Sequence, residues 1–207
     1  MNIRPASAVA LLLAGALALA GCSTTAESDH SSMPGMDHSA SEASGADANA
    51  ADANAADVMF AAMMIPHHEQ AVEMADLVLG KKGIDPRVVD LAERIKAAQA
   101  PEIETMQEWL DDWGMDPDDA MSGDDGMMGH GDGMMSADDM ESLEAANGDE
   151  ASRLFLEQMI VHHEGAVDMA EAQVADGQNA DAVALAESII ETQTDEIAEM
   201  KDLLATP

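Results

Sequence analysis

Met63-Met64-Ile65-Pro66-His67-His68-Glu69-Gln70-Ala71-Val72-Glu73-Met74-Ala75 returns later in the chain as Gln158-Met159-Ile160-Val161-His162-His163-Glu164-Gly165-Ala166-Val167-Asp168-Met169-Ala170. The spacing inside this phrase decides the fold. Phe60, Met64, His67, Ala71, Met74 and Val78 follow one another at four- and three-residue steps, the seam of a helix packed in a bundle. Ile65, His68, Val72, Ala75 and Leu79 form the adjoining stripe. The second copy repeats both, with Phe155, Met159, His162, Ala166 and Met169 beside His163, Val167, Ala170 and Val174. Both histidines of each pair therefore lie on the apolar side. Glu69, Glu73, Asp76, Glu164, Asp168 and Glu171 fall on the opposite face, as solvated surface.

The repeat extends beyond the histidines. Leu91-Ala92-Glu93-Arg94-Ile95 and Gln99-Ala100-Pro101-Glu102-Ile103-Glu104-Thr105-Met106 correspond to Leu185-Ala186-Glu187-Ser188-Ile189 and Gln193-Thr194-Asp195-Glu196-Ile197-Ala198-Glu199-Met200. Each unit is a helical hairpin: a His-His helix, a glycine turn and a Gln-x-x-Glu-Ile-x-x-Met helix. One hairpin cannot bury its apolar face alone, whereas two make an all-α four-helix bundle. The hairpins are expected over 57–113 and 149–204, within a domain spanning 57–204. The first helix is expected to start with Asp57 as N-cap and to stop before Gly80. The second opens at Asp85-Pro86 and runs to Trp113. Helices from Asp149 and after Asn179 build the other hairpin. The connection 114–148 includes a short helix capped by Ser136, with Asp139 at the third position.

In the second helix of each hairpin a glutamine and a glutamate stand where leucine is expected. Leu91, Ile95, Gln99, Glu102, Met106, Trp109 and Trp113 keep seam spacing, as do Leu185, Ile189, Gln193, Glu196 and Met200. Counted from the turn at about 1.5 Å per residue, His67 and Gln99 share one level of the bundle, as do His162, Gln193 and Glu196. Met64 and Met159 lie a turn away, near Met106 and Met200. A buried carboxylate costs several kcal/mol, roughly, unless it meets a partner or a cation. The duplicated layer is thus either a polar network that fixes helix register or one that holds a metal ion.

The flanking segments have another character. Ala6 to Ala20 is an apolar run behind Arg4, short for a membrane span, and it leads into Leu19-Ala20-Gly21-Cys22. That ending resembles the lipobox of bacterial lipoproteins. It implies a signal peptide over 1–21, lipid on Cys22, and an exported chain anchored to the bacterial cell membrane at the surface or in the periplasm. As Cys22 is the sole cysteine, no intrachain disulfide or thiolate metal cluster can form. Residues 22–56, rich in Ser, Ala, Asp and Gly, read as a disordered tether containing Met33, Met36 and His38. The linker carries Met127, Met128, His130, Met134 and Met135 among Gly and Asp. These are either further ligands or methionines that dock on the bundle. With 42 acidic against 8 basic residues, the chain would repel nucleic acid and attract cations.

Ligand type narrows the chemistry. Imidazole and thioether together favour copper, particularly Cu(I), over magnesium, calcium or manganese, while zinc has little use for thioethers. The candidate ligands are Met64, His67, His68, Met74, Glu102 and Met106 in the first unit, with Met159, His162, His163, Met169, Glu196 and Met200 in the second. The helices offer no Glu-x-x-His of the kind a di-iron bundle uses. No nucleophile–base set is present either. The expectation is a binding protein rather than an enzyme, taking a copper ion and either buffering it or passing it to a copper-handling partner. A non-catalytic structural bundle is the alternative, and a ferritin-like redox enzyme a weaker one.

Met-Ile-x-His-His-x-x-Ala-Val-x-Met-Ala followed by Gln-x-x-Glu-Ile-x-x-Met, with Trp109-Leu110 after the first copy, resembles the bacterial family called domain of unknown function 305. The resemblance covers about residues 57 to 204. It implies a ferritin-like four-helix bundle in an exported protein, some relatives being associated with copper binding and copper tolerance. The family motif falls on His67, His68, Met74, Gln99, Glu102 and Met106, then on His162, His163, Met169, Gln193, Glu196 and Met200. Pro66 is matched by Val161, and Leu203-Leu204 replaces the tryptophan, so the two copies are not strictly equivalent.

Overall fold

The structure is a computed structural model in which residues 53–116 and 133–206 are described. Cys22, the signal segment, the tether up to residue 52, and Met127, Met128 and His130 lie outside these residues, whereas 53–56, expected as the end of the tether, lie within them and lead into the first helix. Five helices and no strand occur among the described residues: α1 (Ala55–Leu79), α2 (Pro86–Asp112), α3 (Ala137–Ala145), α4 (Asp149–Asp176) and α5 (Ala180–Ala205). None is long and apolar enough to cross a membrane.

Helix ends follow the capping residues. Asp85 accepts the Arg87 N–H ahead of Pro86, and Asn179 accepts from Asp181 and Ala182. Ser136 and Asp139 form the expected capping box, and Gly80 ends α1. The start of α1 differs from expectation. Asn54 is the N-cap, and Asp57 is the third helical residue, returning a hydrogen bond to the Asn54 N–H at 2.7 Å. A better-placed cap three residues upstream frees the Asp57 carboxylate for other work. It turns inward, fully buried, and accepts from Gln173 Nε2 at 2.6 Å and from the N–H groups of Gln178 and Asn179.

That contact has a twin. Ser152 occupies the position of Asp57 in the second copy, and its Oγ accepts the Asp85 N–H at 3.1 Å. Each hairpin thus uses a polar side chain in the first turns of its leading helix to hold the other hairpin's turn.

α1 packs on α2 and α4 on α5, the hairpins meet along α1 and α4, and α3 lies across both of those helices. The core divides into two apolar clusters. One gathers Phe60, Met64, Ile65, Met106, Leu110, Ala166, Ala170 and Ile189. The other gathers Met74, Val78, Leu91, Ile95, Leu143, Phe155, Met159 and Met200. Each of the larger of these side chains contributes about 1.5–3 kcal/mol by leaving water. On every long helix the two sets are separated by polar positions: His67-His68, Gln99 and Glu102, His162-His163, Gln193 and Glu196. The four-helix architecture and its duplicated hairpins are as the repeat predicted.

Candidate metal centre

Because α1 and α4 cross at corresponding points, the duplicated histidines come together. The His67 and His162 rings lie 3.7 Å apart between centroids, tilted by 36°, with both side chains buried. His68 Nε2 donates to Glu102 Oε2 at 2.8 Å, and His163 Nε2 donates to Glu196 Oε2 at 2.8 Å. The two pairs match because each glutamate comes from the partner helix of its own hairpin. In the neutral ring a carboxylate acceptor places the proton on Nε2 and leaves Nδ1 with a bare lone pair. Metal-binding histidines are commonly held by a carboxylate in this way.

The inward side of the layer lacks protein partners. Nδ1 of His68, Nδ1 of His163 and the side-chain amide of Gln99 are buried without a protein hydrogen bond. Buried polar atoms in folded proteins nearly always have one, so a cluster of exceptions marks a place for water or an ion. Burial first, and then the neighbouring imidazoles of His67, His163 and His68, push the His162 ring well below its usual pKa. A hydrogen bond with the His67 backbone offsets a little of this. His162 is therefore neutral, with a lone pair to offer. The sign follows: its contribution to stability is complete above the unfolded histidine value of about 6.5 and fades as pH falls towards the folded value.

Thioethers flank the layer on both sides. Met64, Met106 and Met169 belong to one apolar cluster, and Met74, Met159 and Met200 to the other. Each trio takes two methionines from one hairpin and one from the other. All are fully buried except Met169, which is partly exposed. Glu102 and Glu196 are engaged with histidines, as the polar-network alternative requires. Among the described residues no three His, Cys, Asp or Glu side chains converge closely enough to hold a metal together. A site here would need sulfur as well as nitrogen, and some turning of the imidazoles.

The linker enters where the two copies differ. Gln70 stands where the second copy has Gly165. The Gln70 amide grips the Met135 backbone on both sides, donating to its carbonyl at 3.0 Å and accepting its N–H at 2.6 Å. Gly165 lets Gly133 lie against α4. Both positions are two residues past the second histidine, about 200° around the helix from the glutamate-paired ring. A strap thus crosses the α1–α4 seam at the histidine level. Met135 packs on the second cluster, while Met134 is 40% exposed. The Gln70/Gly165 mismatch is visible in the aligned copies and is the sequence signal for this contact, which residue-type reasoning passed over.

Gly133 has φ +78°, and a Cβ there would come within 2.6 Å of the Val161 carbonyl oxygen and 2.9 Å of that of His162. Helix backbone cannot swing aside. Gly133→Ala is expected to destabilise the fold by about 1–3 kcal/mol and release the strap. Hydrogen exchange at the Met135 amide reads this directly, and protection unchanged from wild type would refute it.

Comparison with known proteins agrees with this architecture. A DUF305 protein from Streptomyces coelicolor, described as secreted, is 35% identical, with 72% of this chain and 92% of that one covered and a TM-score of 0.66. A DUF305 fragment from Deinococcus radiodurans is 29% identical over 75% and 99% of the two chains, also with a TM-score of 0.66. CopM in its Cu(II)-bound form is 34% identical over 72% and 95%, with a TM-score of 0.61. CopM has also been solved in Cu(I)-bound and Ag-bound forms. No curated protein sequence matches the chain. The family model described as Domain of unknown function (DUF305) matches residues 57–204, essentially the whole duplicated bundle, and the chain belongs to that family.

Proposed function

We propose that this protein binds copper, with Cu(I) favoured, and buffers it or delivers it outside the cytoplasm without catalysing a reaction. One observation carries the reading: a buried layer of four imidazoles, with His162 held neutral, lies between two methionine trios. The copper- and silver-bound forms of CopM support the choice of a soft ion. His67 and His162 would supply nitrogen. Met64, Met106 and Met169 on one side, with Met74, Met159 and Met200 on the other, would supply sulfur. His68 and His163 would offer Nδ1 with Glu102 and Glu196 behind them. Met134, Met135, Met127, Met128 and His130 would collect ions near the surface. Lipid on Cys22, after removal of residues 1–21, would hold the protein at the membrane, where a copper-handling protein could receive the ion.

Titration with Cu(I) against a competing chelator, for wild type and His67→Ala/His162→Ala, tests this. Loss of tight binding in the double variant is the expected result. Unchanged affinity with altered stability would instead make the layer a register lock. Unchanged affinity that vanishes when Met127, Met128, His130, Met134 and Met135 are replaced would move the site to the linker.

A further inference from the structure

The duplication creates two equivalent grooves along the α1–α4 seam, and the chain treats them differently. Between the C-terminal half of α1 and the N-terminal half of α4, the groove is filled by α3. Leu143 of α3 is buried in the second apolar cluster. Gln158 Nε2 donates to the Asp139 carbonyl at 3.0 Å, and Lys81 Nζ donates to the Glu144 carbonyl at 2.7 Å. The other groove, between the N-terminal half of α1 and the C-terminal half of α4, remains open. It is a cavity of about 340 Å³ lined by Met59, Met63 and Met169, with Asp168, Ala172 and Asp176.

Aligning His67 with His162 shows what changed. Met59 corresponds to Leu154, Met63 to Gln158, Ala172 to Leu77 and Asp176 to Lys81; Met169 corresponds to Met74. The filled copy thus carries leucines for packing, and a glutamine and a lysine that hold α3. In the open copy an alanine keeps the groove deep, two more thioethers line it, and an aspartate replaces the lysine. Met59 and Met63, four residues apart on one helix, present neighbouring side chains, with Met169 facing them from α4. Met59 is 41% exposed, unlike the buried core methionines, so its side chain is reachable from solvent.

We propose that this groove is a second thioether site for a soft monovalent cation, centred on Met59 and Met63 and sharing Met169 with the methionines beside the histidine layer. Thioethers bind such ions in preference to hard ones. Asp168, Asp176 and the strongly acidic chain draw cations towards the opening. Met169 also packs against the apolar cluster containing Met64, so the groove adjoins the methionines beside the histidines. The site shares its class of ion with the proposed function but does not depend on the histidine layer binding anything.

The test is Ag(I) titration of protein labelled with ¹³C at the methionine methyls. The comparison variant, Met59→Leu/Met63→Gln, copies residues the other groove already tolerates. In wild type the Met59, Met63 and Met169 methyls are expected to shift together as one ion binds. In the variant one bound ion is lost, and with it the part of the Met169 shift that tracks that ion, while Met64 and Met106 behave as in wild type. Groove methyls unmoved by Ag(I), or a variant binding the same number of ions, would overturn the proposal. So would methyl shifts that follow protein concentration without metal, which would make the groove a contact between copies of the chain. A silent histidine layer beside responsive groove methyls would defeat the proposed function and leave this site standing.

Discussion

Replacing Asp57 by alanine is expected to lower stability by about 3–5 kcal/mol, the largest loss for any single polar side chain in the bundle. The buried carboxylate accepts from the Asn54 N–H, the Gln173 amide and the N–H groups of Gln178 and Asn179. Removing it strands all these donors at once. The helix start loses half of its capping box, and the α4–α5 turn loses its hold on α1. Burial by itself would raise the carboxyl pKa, but hydrogen bonds from Asn54, Gln173, Gln178 and Asn179 outweigh it and hold the group below the usual carboxylate range. The stabilisation is therefore complete above the unfolded aspartate value of about 3.9 and is lost as pH falls through the folded value. Asp57→Ala removes this acid-dependent part along with the rest. Asp57→Ser, which places a hydroxyl where Ser152 serves the other hairpin, is expected to recover part of the loss. Urea unfolding at neutral and acidic pH measures both effects. A loss below about 1 kcal/mol for the alanine variant would show that water replaces the carboxylate, contrary to this account.

Glu102→Gln/Glu196→Gln is expected to weaken Cu(I) binding about 10- to 100-fold, the range over which carboxylates behind metal-bound histidines usually act. The carboxylates make His68 and His163 keep the proton on Nε2, leaving Nδ1 as the donor atom. An amide can accept from Nε2–H or donate to bare Nε2, so it no longer enforces one tautomer. Shape and hydrogen-bond reach are preserved, which keeps the fold intact and separates electronic from structural effects. Competition titration of the double variant reads the affinity, and thermal unfolding reads the fold. Unchanged affinity with a lowered unfolding midpoint would mean that the His–Glu pairs serve register alone.

Much of the architecture was written in periodicity. The seam spacing of Phe60, Met64, His67, Ala71 and Met74, and its recurrence from Phe155, required amphipathic helices in duplicate. Asp85-Pro86, Asn179, Ser136 and Gly80 marked helix ends because capping is local chemistry. The inward placement of Gln99, Glu102, Gln193 and Glu196 was likewise a matter of spacing. Asp57 was misplaced because Asp is a good N-cap in isolation, and its buried role depends on a turn some 120 residues away.

The sequence by itself determined two helical hairpins, a polar layer at one level, and glutamates turned outward beside the histidines, since helical period and hydrophobic burial act over a few residues. Only the tertiary structure decided which histidine meets which group. It paired His68 with Glu102 and His163 with Glu196, and it brought the His67 ring against that of His162 at a tilt of 36°. It also laid the Gly133–Met135 strap across Gln70 and Gly165, and closed one groove with α3 while leaving its twin open. Those outcomes depend on how one hairpin crosses the other, an angle set by the summed packing of both cores and by no single stretch of chain.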